Sequence, residues 1–394
     1  MNKISFNGLS LKELFKNKAG ESLTYNDFII LPGFSKGFSP ADVNLKTKLT
    51  RKISLNLPIV SSPMDTVTGE LLASWLALLG GIGILHYNCT ISEQVKMVES
   101  VKNFKEPKNK DIDYSLACRN NNGRLLVGAA IGTRAEDQKR AEALIKAGAD
   151  VLVIDSAHAH VTFAAEMLNF LKNKFPQIEV VAGNVATAEG VKFLAENGAD
   201  AVKVGVGSGS ICTTQDVTGV GRGQATAVWQ CGQAANSLKT PIPIIADGGI
   251  TQTGDLVKAL ILGASTGMLG NLLASAFESL GEWQEIDGLR VKEYRGMGSK
   301  KAMAAGSSKR YQLENSKRVQ AAEGVAGKII GKGHIYDLIP EIAAGLKQAL
   351  FKIGFKNIFD LQQAAQESKV RVEYRSEAAK QEGSPHNLLE VISG

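Results

Sequence analysis

A glycine-rich stretch, residues 203–224, carries the side chains best suited to chemistry in this chain. Six of its positions are glycine, a residue whose backbone entropy makes it costly inside a helix or strand. The stretch is therefore predicted to be a loop whose amides and carbonyls can approach a ligand closely. Cys212 lies within it, and its hydroxyl-bearing neighbours are Ser208, Ser210, Thr213 and Thr214. A lone cysteine in such a loop is either a small buried apolar residue or a nucleophile, and the spacing leaves both readings open.

The composition is that of a soluble globular protein, and it argues against a nucleic-acid-binding, zinc-binding or membrane protein. Of 394 residues, 44% are hydrophobic and 21% are charged. Basic residues are spread out except for a modest cluster between Lys292 and Arg318, which indicates a solvated surface or an anionic small substrate rather than a nucleic-acid-binding arm. The cysteines form no CxxC pair and the histidines lack metal-ligand spacing. Because no signal peptide or membrane-spanning apolar run is present, we expect a cytoplasmic protein.

Eight apolar segments, many rich in β-branched residues, alternate with helical stretches from about Leu57 onward. Two of these helices, 136–147 and 253–262, stop before Gly148 and Gly263, and glycine is a common helix stop. The alternation predicts an α/β fold, a closed parallel (β/α)8 barrel of the TIM type. The predicted strands are 57–61, 82–86, 124–130, 151–155, 178–182, 200–204, 242–246 and 265–269.

Several segments stand outside the repeat. Residues 23–32 are predicted to be an extended arm ahead of the barrel, and the polar residues 103–122 a short linker between its second and third units. Residues 294–337 follow the last strand, and connections of that length are lids or disordered segments. A helix near 338–353 and a polar tail come next. We therefore predict a single catalytic domain over residues 1–394 with a mobile flap.

Ligands of such barrels bind at the carboxyl ends of the strands, and polar residues of this chain fall there. Asp247-Gly248-Gly249 after the seventh strand is either a plain turn or, together with Gly270 after the eighth, a phosphate cradle. Exposed glycine amides favour the cradle. The other polar strand ends are Asp155 and Ser156 after the fourth strand, Asn184 after the fifth, Gly205 to Cys212 after the sixth and Asn271 after the eighth.

Six motifs, taken in this order, resemble the IMP dehydrogenase/GMP reductase family and, within it, the dehydrogenases. The resemblance extends from before residue 30 to the tail near residue 386. The motifs are SSPMDTVT at 61–68, GGIG at 80–83, GAAIG at 128–132, GSGSICTT at 207–214, IADGGI at 245–250 and YRGMGS at 294–299.

Three features favour a dehydrogenase over a reductase. Arg310-Tyr311 in the predicted flap resembles the water-activating arginine of the dehydrogenases and its neighbour. Lys300 stands where a reductase usually has a glutamate involved in deamination. The tail resembles the dehydrogenase segment that completes a cation site, residues Glu382, Gly383 and Ser384. GMP reductase, which deaminates GMP to IMP with NADPH, is the alternative.

The chain also departs from the family pattern at three places. The family usually carries a pair of regulatory CBS modules between the second and third barrel units, where this chain has only the linker 103–122. Asn271 stands where a phosphate-binding serine is usual, although a side-chain amide can also donate a hydrogen bond. Ala159 replaces a glycine close to the expected nicotinamide site.

The resemblance implies inosine monophosphate (IMP) as the substrate. Asp247 would bind the ribose hydroxyls and Glu323 the purine edge, whereas composition alone makes Glu323 a solvated charge. The phosphate would be held by Ser210, Gly249, Gly270 and Tyr294. The remaining substrate contacts would come from Ser62, Asn271, Met297 and Gly298.

The resemblance further implies a two-part reaction in guanine nucleotide biosynthesis. Cys212 would attack carbon 2 of the purine, and hydride would pass to NAD, which leaves a covalent thioimidate. Arg310 would then activate water, with Tyr311 and Thr214 beside it, to release xanthosine monophosphate (XMP). From the residues alone, Arg310 is a solvated loop charge, and its high intrinsic pKa makes it a surprising base.

A cofactor site, a cation site and an assembly are implied as well. The nicotinamide riboside would be positioned by Asp155, Ser156, Asn184 and Gly205, with a strand-end cap as the alternative role for Asp155. The carbonyls of Gly207, Gly209 and Cys212 would bind potassium together with Glu382, Gly383 and Ser384 of a neighbouring subunit. This shared site implies a homotetramer. No membrane or specific nucleic-acid partner is expected.

Overall fold

Eight parallel strands close into the predicted barrel in the computed structural model, which describes residues 8–108, 112–311 and 321–384. The strands neighbour one another in chain order, and a parallel bridge between Val60 and Ile82 joins the second strand to the first. The predicted (β/α)8 fold is therefore confirmed. The strands are β1 Ile59–Ser61, β2 Gly83–Leu85, β3 Val127–Ile131, β4 Val151–Asp155, β5 Glu179–Val185, β6 Ala201–Val204, β7 Ile244–Asp247 and β8 Thr266–Leu269.

The barrel strands are apolar on both faces because both faces are buried. Side chains that point inward, such as Val60, Val153 and Ile245, form one cluster inside the barrel. Side chains that point outward, such as Leu152 and Val180, pack against the surrounding helices. Continuous apolar runs are the expected pattern for strands covered on both sides. Polar side chains are thus concentrated where the strands end.

The helices cover the outside of the barrel and mostly begin and end at the predicted signals. Gly148 ends α3 in the left-handed conformation, with a φ of +100°. The last of the helices around the barrel begins at Ile335, three residues before the predicted start, because Glu278 accepts a hydrogen bond from the Ile335 backbone N at 2.8 Å. The helices are α1 Glu70–Leu78, α2 Ile91–Lys102, α3 Ala135–Ala147, α4 Thr162–Lys174, α5 Ala188–Glu196, α6 Gln224–Asn236, α7 Thr253–Ile261 and α8 Ile335–Ile353. Within the described ranges, no helix has both the length and the apolar character needed to cross a membrane.

The two ends of the described chain meet in a three-stranded sheet. Its strands are Leu9–Ser10, Arg371–Tyr374 and Phe28–Ile30, and the helix Leu11–Asn17 follows the first of them. The predicted extended arm also contains a short 3-10 turn, Tyr25–Asp27. The predicted polar tail is in fact folded up to Ser384, with the helices Ile358–Gln366 and Glu377–Glu382. Residues 385–394 lie outside the described part.

The predicted flap is built on an antiparallel sheet that sequence patterning did not reveal. Its strands are Gln284–Ile286, Leu289–Arg295 and Ala326–Ile330. Between the last two come the helix Lys300–Ala304 and the 3-10 turn Ser307–Tyr311, while residues 312–320 of the predicted flap lie outside the described ranges. The predicted linker joins α2 to β3 and includes the 3-10 turn Tyr114–Leu116; its residues 109–111 are likewise outside. The domain limits remain predictions.

A buried lysine, Lys292, lies on the central strand of this sheet. Its amine donates hydrogen bonds to the backbone carbonyl of Thr66 at 2.6 Å and to that of Leu280. Burial lowers the pKa of Lys292 to about 7. Two carbonyl acceptors suit the neutral amine, which keeps two N–H groups, so the buried side chain is satisfied without a charge.

We expect this lysine to make stability rise with pH. Between pH 7 and 10.5 the unfolded chain keeps a proton that folded Lys292 has lost, so the free energy of unfolding rises by up to about 1.4 kcal/mol per pH unit. The Lys292→Met variant should lose this slope, as measured by urea unfolding at pH 7.5 and 9.5. Exposed Lys301→Met is the control and should keep it. Equal slopes for wild type and Lys292→Met would contradict the prediction.

Candidate active site

A cavity at the carboxyl ends of the barrel strands brings together residues that are far apart in the sequence. We call it the barrel-mouth cavity, and it is enclosed by the loops after β1 and β4 to β8 and by the flap. Of the predicted site residues, it is lined by Ser62, Asp155, Asn184, Gly205, Gly207, Gly209, Ser210, Cys212, Thr214, Asp247, Gly249, Gly270, Asn271, Tyr294, Met297, Gly298, Arg310, Tyr311 and Glu323.

The thiol of Cys212 lies in a hydrogen-bonded chain inside this cavity. Cys212 Sγ is 3.0 Å from Thr214 Oγ1, which donates to Glu323 Oε2 at 2.9 Å. A hydroxyl has one proton, so while Thr214 donates to Glu323 the thiol must be the donor to Thr214. A thiolate at Cys212 would instead receive the Thr214 proton. Thr214 can therefore donate its proton to Glu323 when Cys212 is a thiol, and to the sulfur when Cys212 is a thiolate.

The cysteine loop and the returning segment of the flap are held together by backbone pairing. Cys212 and Gly324 form an antiparallel bridge, and the Thr213 backbone N donates to the Glu323 carbonyl at 3.1 Å. On the other side, the Glu323 backbone N donates to the Gly298 carbonyl at 3.0 Å. Glycine at position 298 permits this close approach, because a Cβ there would lie 2.5 Å from the Tyr311 hydroxyl and 3.0 Å from the Glu323 backbone carbon. The flap is thus docked against the thiol loop.

A cluster of four charges forms the opposite wall of the cavity. Arg310 donates to Asp155 Oδ2, and Lys203 Nζ lies 3.0 Å from Asp155 Oδ1 and 2.7 Å from Asp247 Oδ2. Asn184 donates to Asp247 Oδ2 at 2.9 Å and accepts from Lys203. Two carboxylates and two cations thus satisfy one another, which is what charges at so buried a position require.

Lys203 is a site residue that sequence reasoning missed. Its side chain is 1% exposed and connects the carboxylates at the ends of β4 and β7. The signal was a single lysine within the otherwise apolar strand segment Ala201–Val204. A charge at an inward position of a barrel strand needs a partner, so this lysine could have been paired in advance with strand-end carboxylates.

Tyr311 lies beside Arg310 at the inner end of the docked flap. Burial raises the pKa of the Tyr311 hydroxyl, and the neighbouring Arg310 charge partly opposes that rise. The Arg310 backbone is held too, because its carbonyl accepts from the Ala157 backbone N at 3.2 Å. The pair therefore sits directly against the strand end that carries Asp155.

Glycine turns form the remaining wall, after β7 and β8. Gly248 and Gly249 have φ values of +94° and +72°, a conformation that favours glycine. The Tyr294 hydroxyl lies over Gly270, since a Cβ at that position would be 3.1 Å from it, and it is hydrogen-bonded to Ser210. Asn271 begins the short helix Asn271–Ala274. Amides and hydroxyls directed at one place suit an anion.

Several predicted site residues lie outside the barrel-mouth cavity, and one of those inside it is needed for close approach of two backbone segments. Ser156 does not line the cavity, and its hydroxyl donates to the His158 carbonyl at 3.0 Å. A Cβ at Gly205 would be 2.0 Å from the Asp247 carbonyl, so glycine is required there for close backbone approach. The tail residues are not part of this cavity within one chain; they end the C-terminal helix and are Glu382, Gly383 and Ser384.

The fold and this cavity define a (β/α)8-barrel enzyme with a thiol loop after β6, a glycine turn after β7 and a docked flap. The family model for the IMP dehydrogenase / GMP reductase domain matches residues 22–386. The chain belongs to this family.

Proteins of this family are similar to the chain along most of its length. Inosine-5'-monophosphate dehydrogenase of Cryptosporidium parvum is 43% identical over 87% of this chain and 90% of its own length. The Borreliella burgdorferi protein of that name is 39% identical over 94% and 98%. Inosine-5'-monophosphate dehydrogenase 2 of Arabidopsis thaliana is 33% identical over 97% of both.

The alignment lengths show that the family contains chains of different size. The Arabidopsis alignment extends over 495 positions, more than the 394 residues here, so that relative has a stretch without a counterpart in this chain. The Borreliella alignment extends over only 404 positions. The absence of CBS modules from this chain is therefore compatible with membership in the family.

Proposed function

We propose that this protein is an IMP dehydrogenase, which oxidises IMP to XMP with NAD through a covalent bond to Cys212. The observation that carries the proposal is that one cavity is lined by the Cys212 thiol, the glycine turn at Gly249 and the flap residue Arg310. The relatives that cover most of this chain bear the same enzyme name. The overall reaction is IMP + NAD⁺ + H₂O → XMP + NADH + H⁺.

The glycine turns and the hydroxyls around them are the proposed phosphate site. Ser210 and Tyr294 donate hydroxyl protons and Gly249 and Gly270 offer backbone amides, with Asn271, Ser62, Met297 and Gly298 as further substrate contacts. Burial raises the pKa of Tyr294 to about 12, although the hydrogen bond with Ser210 lowers it in part. Tyr294 is therefore a neutral donor at any pH at which the enzyme would work. Asp247 would accept from the ribose hydroxyls.

We expect Tyr294→Phe to weaken nucleotide binding and spare the chemical step. One hydrogen bond to a charged phosphate contributes about 1.5–3 kcal/mol, so the dissociation constant of IMP should rise at least about tenfold. Titration calorimetry at pH 7.5 and 9.5 should give the same ratio, because the hydroxyl does not ionise in that range. Exposed Tyr374→Phe is the control. An IMP affinity equal to wild type would remove Tyr294 from the phosphate site.

In the first half-reaction, the thiolate of Cys212 adds to carbon 2 of the purine. Thr214 turns its proton from Glu323 to the developing sulfur anion, and Glu323 then accepts from the purine edge. NAD, when bound, supplies the acceptor for the hydride that leaves carbon 2. Asp155 and Asn184, with the glycine backbone at Gly205, fit its nicotinamide riboside because a carboxylate and an amide meet there at the edge of the cavity. Cys212 and carbon 2 remain joined as a thioimidate.

In the second half-reaction, Arg310 and Tyr311 face the thioimidate from the docked flap. Arg310, after its guanidinium has released a proton to solvent, takes a proton from water, the resulting hydroxide adds to carbon 2, and the carbon–sulfur bond breaks as XMP leaves. The ion pair between Arg310 and Asp155 supports the docked position of the flap in this half-reaction. Because Asp155 would also hold the cofactor, Arg310 of the flap and the cofactor would bind this carboxylate one after the other, never together.

A potassium site and a tetramer belong to the same proposal. The carbonyl of Gly207 accepts from Gln215 Nε2 at 2.8 Å and that of Gly209 from the Cys212 backbone N at 3.0 Å. Each carbonyl oxygen has a second lone pair, so the loop fits a hard cation. Glu382, Gly383 and Ser384 of a neighbouring subunit would complete the shell.

The deciding experiment is an absorbance assay for NADH with IMP and NAD, with and without potassium. We expect NADH to form and the rate to fall when potassium is replaced by sodium. GMP reductase is the competing function, because the family model covers both enzymes. Oxidation of NADPH with GMP, without NADH formation from IMP, would overturn the assignment.

A further inference from the structure

Gln224 is a buried polar residue that the proposed reaction does not use. It is the first residue of α6, directly after the glycine-rich loop, and its side chain is 2% exposed. It does not line the barrel-mouth cavity. A buried carboxamide needs partners for its two N–H groups and its oxygen, so its contacts reveal what it holds together.

The two N–H groups of Gln224 connect the ends of two neighbouring barrel strands. Nε2 donates to the Val204 carbonyl at 2.8 Å and to the Asp247 carbonyl at 3.1 Å. Val204 ends β6 and leads into the loop that carries Cys212. Asp247 ends β7 and leads into the glycine turn. One side chain therefore joins the start of the thiol loop to the start of the proposed nucleotide turn, directly after β6 and β7 stop pairing.

Both loops are also packed against the Gln224 side chain. A Cβ at Gly205 would lie 3.0 Å from Gln224 Nε2, and one at Gly249 would lie 3.1 Å from Gln224 Cβ. The Gln224 oxygen accepts no hydrogen bond among the described residues. The orientation of the carboxamide is therefore set by its N–H groups, which donate to both strand-end carbonyls.

We propose that Gln224 is a positioning residue that sets the distance between the Cys212 loop and the turn at Gly249. The inference rests on the proposed function, since it assigns the nucleotide to that turn and the attacking sulfur to the loop. Formation of the carbon–sulfur bond needs the sulfur and the nucleotide at the correct distance, and a displacement of about 1 Å can cost about a hundredfold in rate. Binding of IMP alone needs the turn but does not depend on this distance.

Gln224→Met tests the proposal, because it keeps the side-chain length and removes both donors. We expect the pre-steady-state burst of NADH at saturating IMP and NAD to slow about a hundredfold. The dissociation constant of IMP, measured by calorimetry, should change far less. A merely structural role would instead lower the melting temperature and leave the burst rate of the folded fraction unchanged.

The matched control is Thr226→Val on the same helix. Thr226 is 4% exposed and accepts from the Leu23 backbone N at 2.8 Å, so it holds the arm but neither strand end. Its burst rate should equal that of wild type. If Gln224→Met does not fold, Gln224→Asn decides, because it keeps a carboxamide that is one methylene too short to reach both carbonyls, and it should slow the burst severalfold without altering IMP affinity.

The outcomes separate the two proposals. If wild type forms no NADH from IMP, the proposed function fails. If wild type forms NADH and Gln224→Met has the same burst rate, only the role of Gln224 is overturned. An equal loss in IMP affinity and burst rate would also overturn it, because Gln224 would then support binding rather than set this distance.

Discussion

The Cys212→Ala variant is expected to lose turnover by a factor of at least about 10⁴ while it still binds IMP. In the proposed mechanism the sulfur supplies the bond on which both half-reactions depend, and no other lining residue of the barrel-mouth cavity carries a thiol in the described chain. IMP affinity should change little, because the proposed phosphate and ribose contacts lie on other residues. NADH absorbance gives the rate and calorimetry the affinity.

Mass spectrometry of acid-quenched enzyme provides the direct readout. Wild type mixed with IMP and NAD should carry the mass of one purine nucleotide, and Cys212→Ala should carry none. Cys89→Ala is the control, because burial raises the pKa of that half-buried thiol and it lies outside the cavity. A variant without Cys212 that retained activity would sink the covalent mechanism.

The Arg310→Ala variant is expected to separate the two half-reactions. The burst of NADH should survive at close to one equivalent per subunit, because the proposed mechanism does not use Arg310 for sulfur attack or hydride loss. Steady-state turnover should fall by about 10²–10⁴-fold, the usual contribution of a positioned general base. The covalent adduct should therefore accumulate, visible by the same mass measurement.

Lys301→Ala serves as the matched control for the flap. Lys301 is an exposed cation of the same segment, and it pairs with Glu293 at 2.7 Å rather than with a barrel residue. Its turnover should equal that of wild type. If Arg310→Ala lost the burst and the steady state equally, Arg310 would act before hydrolysis and the assigned role would be wrong.

The barrel could be predicted from the sequence because its strands are covered on both sides. Apolar runs such as 151–155 are unambiguous when a helical stretch and a glycine stop separate them from the previous run, as Ala135–Ala147 and Gly148 do here. The antiparallel sheet of the flap was not predicted, since its outer strands, Gln284–Ile286 and Ala326–Ile330, are largely exposed and lack that pattern. The early start of α8 was missed because its cap, Glu278, comes from another part of the chain.

Some residues of the proposed site could be found from the sequence around them, whereas others could be found only from the fold. Residues in motifs, such as Cys212 and Asp247, were singled out from type and neighbours, and the structure brings them to one cavity. Lys203 and Gln224 were not, because each acts by joining the ends of different strands. Which strand ends are adjacent is a property of the closed barrel, and single segments do not contain it. The chemical roles of all these residues remain predictions.

In the proposed reaction, the ion pairs around Lys203 would also make the cavity bind the oxidised form of the cofactor more tightly than the reduced form. With Arg310 docked, Asp155 and Asp247 are balanced by two cations, so the cluster has no net charge. Withdrawal of Arg310 in the proposed reaction would leave one negative charge unbalanced at the cavity edge. A positively charged oxidised nicotinamide ring would restore neutrality, whereas the neutral reduced ring would not. Hydride transfer would thus remove the charge that retains the ring, and the returning arginine would replace it as the counter-ion.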